Sequence, residues 1–245
     1  MVDGLVSVDA VAREQIRDRI AEVERQVDAK SYRPGPWDRL LKDTRALPRS
    51  ERVTLKEEIT RVSSKLHRRE GRRTFSATGG LVGEIALTVL GGVGVVLAIH
   101  NRSNVAGIIG AVIWMTTFQP LVKVGVGYLL GVEYEYAYLY GVEPRFKMRF
   151  GDYIAAPRWA RILLHLSGTI GSPLGTWLVL ICLPAELRIA IDVCRVMLLI
   201  VIAINVAQLL VTLAGVKRIG AFKASFSSAG SAAMEIREAL EIDQR

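Results

Sequence analysis

Four stretches without a single Asp, Glu, Lys or Arg, residues 85–101, 103–122, 162–185 and 196–216, constrain this chain more than any other feature. Each is close to the ~20 apolar residues that carry a helix across the hydrocarbon of a bilayer. Backbone groups in that medium must pair internally, so stretches of this length read as helices. The chain is nevertheless 23% charged, with a net charge of +8 and a mean hydropathy of +0.30. Apolarity and charge coexist because they are segregated: more than half of the Lys and Arg lie within residues 1–78. This excludes a soluble enzyme and a secreted disulfide-rich domain. No signal peptide is expected, because the first ten residues lack a basic start followed by an apolar run.

The N-terminal region reads as helical. Ile16, Ile20, Val23 and Val27 share one helical face, and Leu55, Ile59, Val62 and Leu66 repeat the spacing beyond a turn at 31–37 that contains Pro34, Gly35 and Pro36. A helical hairpin over 1–78 follows. Mutual burial of the two stripes is its simpler use, and a partner-binding coiled coil the sharper one.

Basic residues set the expected orientation. Lys65, Arg68, Arg69, Arg72 and Arg73 precede the first span, and Arg145, Lys147, Arg149, Arg158 and Arg161 lie between spans two and three. Lys217, Arg218 and Lys223 follow span four, whereas the loops near 100–104 and 184–190 carry one Arg each. By the positive-inside rule this predicts four spans, about 79–101, 103–130, 161–184 and 190–216, with both termini cytoplasmic in the cell (inner) membrane. Anionic headgroups of the bilayer account for the basic residues without a nucleic-acid partner. The fold class expected is an all-α integral membrane protein with a membrane-associated β-hairpin and a cytoplasmic tail helix within 219–245.

The hairpin, about 132–151, rests on period-two alternation. Tyr134, Tyr136, Tyr138 and Tyr140 occupy alternate positions, and beyond Gly141 and Pro144 the residues Phe146, Met148 and Phe150 alternate with Arg145, Lys147 and Arg149. One face is expected to be aromatic and the other charged. Tyr134, Tyr136, Tyr138, Tyr140, Arg145, Lys147 and Arg149 are therefore the candidate partner or lipid interface, with simple anchoring of the tyrosines at the headgroup level as the alternative.

Polar residues inside spans are costly and mark candidate sites. Gln119 and Lys123 are four apart around Pro120; span three carries the small-residue run Gly168–Thr176, including Gly171, Pro173 and Gly175; span four carries Asn205 and Gln208 before Leu213-Ala214-Gly215. Glu84 and the pair Asp192 and Arg195 read as structural ion-pairing groups. His67, His100 and His165 are too scattered to form a metal site alone, and His165 is expected at the start of span three, away from Lys123. Cys182 and Cys194 are expected as small apolar residues, with a disulfide as the alternative.

In order and spacing, these motifs over about 105–216 resemble the core of the site-2 protease family of intramembrane zinc metalloproteases. The run from Gln119 to Val132 and its following hairpin, Gly171-Ser-Pro-Leu-Gly-Thr176, and Asn205 with Leu213-Ala-Gly215 carry the resemblance. The family's zinc ligands and general base correspond to Gln119, Pro120, Lys123 and Ala214, which cannot perform those roles. The resemblance therefore implies a relative without catalytic residues, metal or other cofactor: a binding or scaffold protein, or an accessory subunit, with a membrane or cytoplasmic protein partner. The alternatives are a membrane-embedded enzyme, protease-like or lipid-modifying, using Lys123 or other groups outside the family's set, or a small oligomeric transporter or channel lined by Gln119, Lys123, Asn205 and Gln208.

Overall fold

The computed structural model describes residues 8–69, 71–140, 143–216, 218–219, 222–223 and 227–243. The hairpin turn expected at Gly141 and the basic residue Lys217 lie outside them. The N-terminal region is more segmented than a two-helix hairpin, with α1 (Val8–Asp28), α2 (Pro36–Ala46), α3 (Arg49–Thr54) and α4 (Lys56–Arg68). Gly35, at a φ of 122°, and Pro36 start α2 directly after the turn, and Pro48 separates α2 from α3. The two apolar stripes do bury each other. Ile16, Ile20, Val23 and Val27 share one core with Leu55, Ile59 and Val62, and Leu66 packs partly against it. That core does not stop at residue 78, because Val132, Tyr153, Ile154 and Leu164 belong to it.

Around its rim α1 and α4 are bridged by ion pairs. Glu24 meets Arg61 at 2.9 Å and Lys65 at 2.8 Å, and Arg17 reaches Glu58 at 3.1 Å.

Period-two alternation forms strands where expected, and one strand that alternation does not announce. β1 (Thr74–Ser76), β2 (Tyr134–Tyr140) and β3 (Glu143–Met148) make an antiparallel sheet in the order β1-β2-β3. The expected division into an aromatic and a charged face does not form. Tyr136 stands opposite Lys147 and Tyr138 opposite Arg145, and directly opposed residues project from the same face. A bulge between Tyr134 and Tyr136 sets Tyr134 opposite Met148 instead. Basic side chains therefore stack on the tyrosines: Arg145 lies 4.4 Å and Arg72 4.9 Å from the centre of the Tyr140 ring. Phe150, expected in the second strand, begins α7 (Phe150–Ala155). There Gly151 lies so close to α4 that an added Cβ would stand 1.7 Å from the Lys56 carbonyl oxygen, and its amide donates to Thr60 Oγ1 at 2.9 Å.

Four helices are long and apolar enough to cross a membrane: α5 (Ala77–Asn101), α6 (Asn104–Leu129), α8 (Arg158–Cys182) and α9 (Arg188–Leu213). Their outward faces are apolar, with Val82, Val89, Val96, Val105, Leu199 and Leu210 all exposed. Helices α5 and α6 meet through Gly91 and Gly110, and Trp114 fills the space beside Gly91, its Nε1 donating to the Thr88 carbonyl at 2.8 Å. Asp192 and Arg195 pair at 3.3 Å, as their spacing predicts, while Cys182 and Cys194 are both free thiols. Beyond α9 come β4 (Arg218–Ile219), β5 (Phe222–Lys223) and α10 (Ser228–Asp243), which packs on α8 and α9.

Hydrogen bonding by Arg61 is the main influence holding the Glu24 carboxyl down from its ordinary 4.5 to about 2, against its partial burial and with help from Lys65. A depressed carboxylate contributes stability above its unfolded value and loses it on acidification. Thermal melting of the detergent-solubilised chain should therefore fall in Tm between pH 4.5 and about 2. Glu24→Gln should lower Tm at neutral pH and flatten that acid limb; an unchanged limb contradicts the assignment.

Candidate functional site

The polar residues of the spans converge. Gln119, Pro120 and Lys123 of α6, His165, Thr169 and Ser172 of α8, and Asn205 and Gln208 of α9 line one cavity of about 510 Å³. The β-hairpin contributes Tyr134, Tyr138 and Arg145 to its wall, and α10 contributes Ser228 and Ser231.

Close backbone approach brings these groups together. A Cβ on Gly171 would stand 2.6 Å from Gln119 Cα, and one on Gly175 would stand 2.4 Å from the Trp114 carbonyl oxygen. Glycine lets α8 meet the α6 backbone at both points. One turn along, a Cβ on Gly168 would stand 3.1 Å from Lys123 Cδ and 2.6 Å from Ser228 Oγ, so the same stripe receives the lysine stem and the tail helix.

The polar contacts across the cavity are sparse. Ser172 Oγ donates to Gln119 Oε1 at 3.3 Å, Asn205 Nδ2 donates to the Thr169 carbonyl at 3.0 Å, and Lys123 Nζ donates to Ser228 Oγ at 3.4 Å. Tyr134 donates its hydroxyl to the Lys123 carbonyl at 3.0 Å, tying the hairpin to α6. Burial raises the Tyr134 phenol above its ordinary value and keeps it a neutral donor.

Behind the cavity lies a buried network. Tyr153 of α7 hydrogen-bonds His165 Nε2 at 3.0 Å and donates to Glu235 of α10. Arg161 meets Glu235 at 2.9 Å, and both side chains are almost wholly buried. Arg45 of α2 adds an ion pair to Glu235 at 3.5 Å and a second to Glu238. Burial opposes the charge on Arg45, but the two glutamates outweigh it and hold its pKa above the ordinary value. Burial, followed by Glu235, pushes the Tyr153 phenol well up. The N-terminal helices, α7 and the tail helix are thus clasped around the start of α8.

Of the five span residues singled out in the sequence, Gln119, Pro120, Lys123 and Asn205 line the cavity, whereas Ala214 caps the C-terminus of α9 and is absent from the lining. Gln208, nearly two turns before Ala214, faces the cavity in its stead. His165 corrects the sequence expectation: seven residues into α8 it still shares the cavity wall with Lys123. The hairpin residues divide. Tyr136 bonds His67 at 2.9 Å, Lys147 donates to Ser63 at 2.7 Å, and Arg149 pairs with Glu57 and with Glu133 at 3.0 Å, so these three face the N-terminal helices. Burial lowers the Lys147 pKa to about 8. Tyr140 stacks with Arg72 and Arg145 at the end of the sheet.

Ser228 and Ser231 escape sequence reading, although their spacing of three on an amphipathic tail places them on one face. Among the described residues no group of three or more His, Cys, Asp or Glu could hold a metal ion. No family model, curated protein or solved structure matches the chain.

Removing Glu235 leaves Arg161 as an uncompensated buried charge, which costs about 3–5 kcal/mol. Glu235→Ala should therefore lower Tm sharply in detergent and expose α10 to limited proteolysis. A Tm equal to that of the unaltered chain would show that the tail helix is not held by this pair.

Proposed function

We propose that this chain is a polytopic membrane protein that binds instead of cleaving: a scaffold or accessory subunit of a membrane assembly, built on a site-2-protease-like core without the zinc ligands. The observation that carries the reading is the convergence of Gln119, Pro120, Lys123 and Asn205 on one cavity beneath the β-hairpin. An ordinary bundle turns its few polar residues inward to pair with one another, because each costs free energy facing the bilayer, but it has no reason to leave an open cavity between them. A binding site does have such a reason. A concave cavity of several hundred Å³ in which a few polar groups converge among apolar and aromatic walls is the usual form of a ligand site.

The groups gathered here favour holding over chemistry. Amides, hydroxyls and one ammonium hydrogen-bond a ligand well. Among the described residues the cavity lining has no Cys and no carboxylate, and Lys123 meets a serine hydroxyl through a contact of 3.4 Å, longer than the ~2.6–3.2 Å of an activated nucleophile and its base.

The orientation follows from the basic residues, with both termini in the cytoplasm of a cell (inner) membrane. In that arrangement the N-terminal helices present their charged outer surface to a cytoplasmic or membrane partner, because their apolar stripes are consumed in their own core. No nucleic acid or cofactor enters this reading.

Gentle extraction from native membranes tests it. The chain should migrate in a complex larger than itself, contain no stoichiometric zinc, and leave peptides intact after reconstitution. Stoichiometric zinc with peptide cleavage, or migration strictly as an isolated chain, contradicts the proposal.

A further inference from the structure

The electrostatics of the cavity specify a ligand class. Its wall carries two cations, Lys123 and Arg145, and no carboxylate among the described residues. An ammonium has three donors, and Lys123 Nζ spends one on a long contact to Ser228 Oγ. It has no ion pair within 4.0 Å among the described residues. The start of α10 opens on the same space: Ser228 lines the cavity, and, although Ser227 Oγ takes the Gly230 amide, this N-terminus is the positive end of the helix dipole.

A second, independent feature is His165. Its side chain is 6% exposed and belongs to the cavity wall. Because the Tyr153 hydroxyl gives its proton to Glu235, it accepts one from His165 Nε2. The proton on Nε2 leaves a lone pair on Nδ1, and that buried nitrogen has no hydrogen-bond partner. The site thus offers two cations and the positive end of a helix beside one acceptor without a hydrogen-bond partner. An anionic oxygen cluster next to a hydroxyl donor satisfies both.

We propose that the cavity binds the headgroup of an anionic phospholipid, its phosphate between Lys123 and the start of α10 and a headgroup hydroxyl toward His165 Nδ1. This names the ligand class of the holding site proposed above and rests on that reading. A lipid is favoured over a free phosphate by two features. Lys123 lies six residues from the end of α6, about 9 Å at 1.5 Å per residue, near headgroup depth. In addition, Val201 and Ile204 of the largely uncovered α9 form one side of the cavity, an apolar flank along which acyl chains can run.

Native mass spectrometry of the full, delipidated chain tests this with phosphatidylglycerol, phosphatidylcholine and inorganic phosphate as probes. Phosphatidylglycerol should be retained at least ~10-fold more strongly than phosphatidylcholine, whose choline is repelled by the two cations. Lys123→Gln and, independently, Arg145→Gln should each weaken its retention ~10-fold or more, with melting curves verifying that both variants fold. Displacement of phosphatidylglycerol by inorganic phosphate supports a phosphate contact. Equal retention of the two lipids, wild-type retention in both variants, or binding of inorganic phosphate without phosphatidylglycerol overturns the proposal. A protein partner that co-purifies with a chain indifferent to headgroup charge removes the lipid assignment alone and leaves the scaffold reading intact.

Discussion

The meeting of α6 and α8 at Gly171 and Gly175 is the contact on which the rest of the membrane domain depends. Without side chains at those points the Gln119 backbone comes against α8, and Lys123 then falls opposite Gly168. Polar residues that would otherwise face lipid are turned toward each other. Helix association in lipid gains little from the hydrophobic effect, because acyl chains are as apolar as leucine, so close van der Waals approach supplies the attraction. A bulkier residue at 171 would separate the helices and open the polar wall to hydrocarbon.

The cavity is closed by elements from distant parts of the chain. The hairpin is fastened by Tyr134 to the Lys123 carbonyl, and α10 is fastened by Glu235 to Arg161 and Arg45. Arg45 belongs to the N-terminal helices, whose core also takes in Tyr153, Ile154 and Leu164. The charged N-terminal region and the apolar spans are therefore one mechanical unit at the start of α8. A buried ion pair of this kind is weak evidence for stability in itself. Here it fixes where α10 sits and hence where Ser228 and Ser231 stand.

The spans are legible in the sequence because ~20 consecutive residues without charge suit hydrocarbon and little else. Alternation around Tyr134–Tyr140 locates β2 and β3 for a similar reason, since period two has no helical reading. Registry is less legible. Counting alternate positions across the turn puts aromatic and basic residues on opposite faces, whereas pairing places Tyr136 and Tyr138 beside Lys147 and Arg145. Strand β1 is three residues long and lies among arginines, so it gains its structure from the edge of β2 and not from its own pattern. The place of His165 is hidden from sequence because distance along a helix says nothing about which neighbours face it. The part of Ser228 and Ser231 in the site depends on α10 folding back onto α8, a tertiary contact that no local spacing encodes.

Everything proposed for the cavity requires that Lys123 face a polar space and not lipid. A single cysteine at 123, in a chain with Cys182 and Cys194 replaced, reports this through its labelling by a charged, membrane-impermeant thiol reagent in sealed vesicles. Lys123→Cys should react from the cytoplasmic side and anionic lipid should slow the reaction, while Leu199→Cys on the outward face of α9 stays unlabelled. A cysteine at 123 as inert as the one at 199 would contradict the polar cavity.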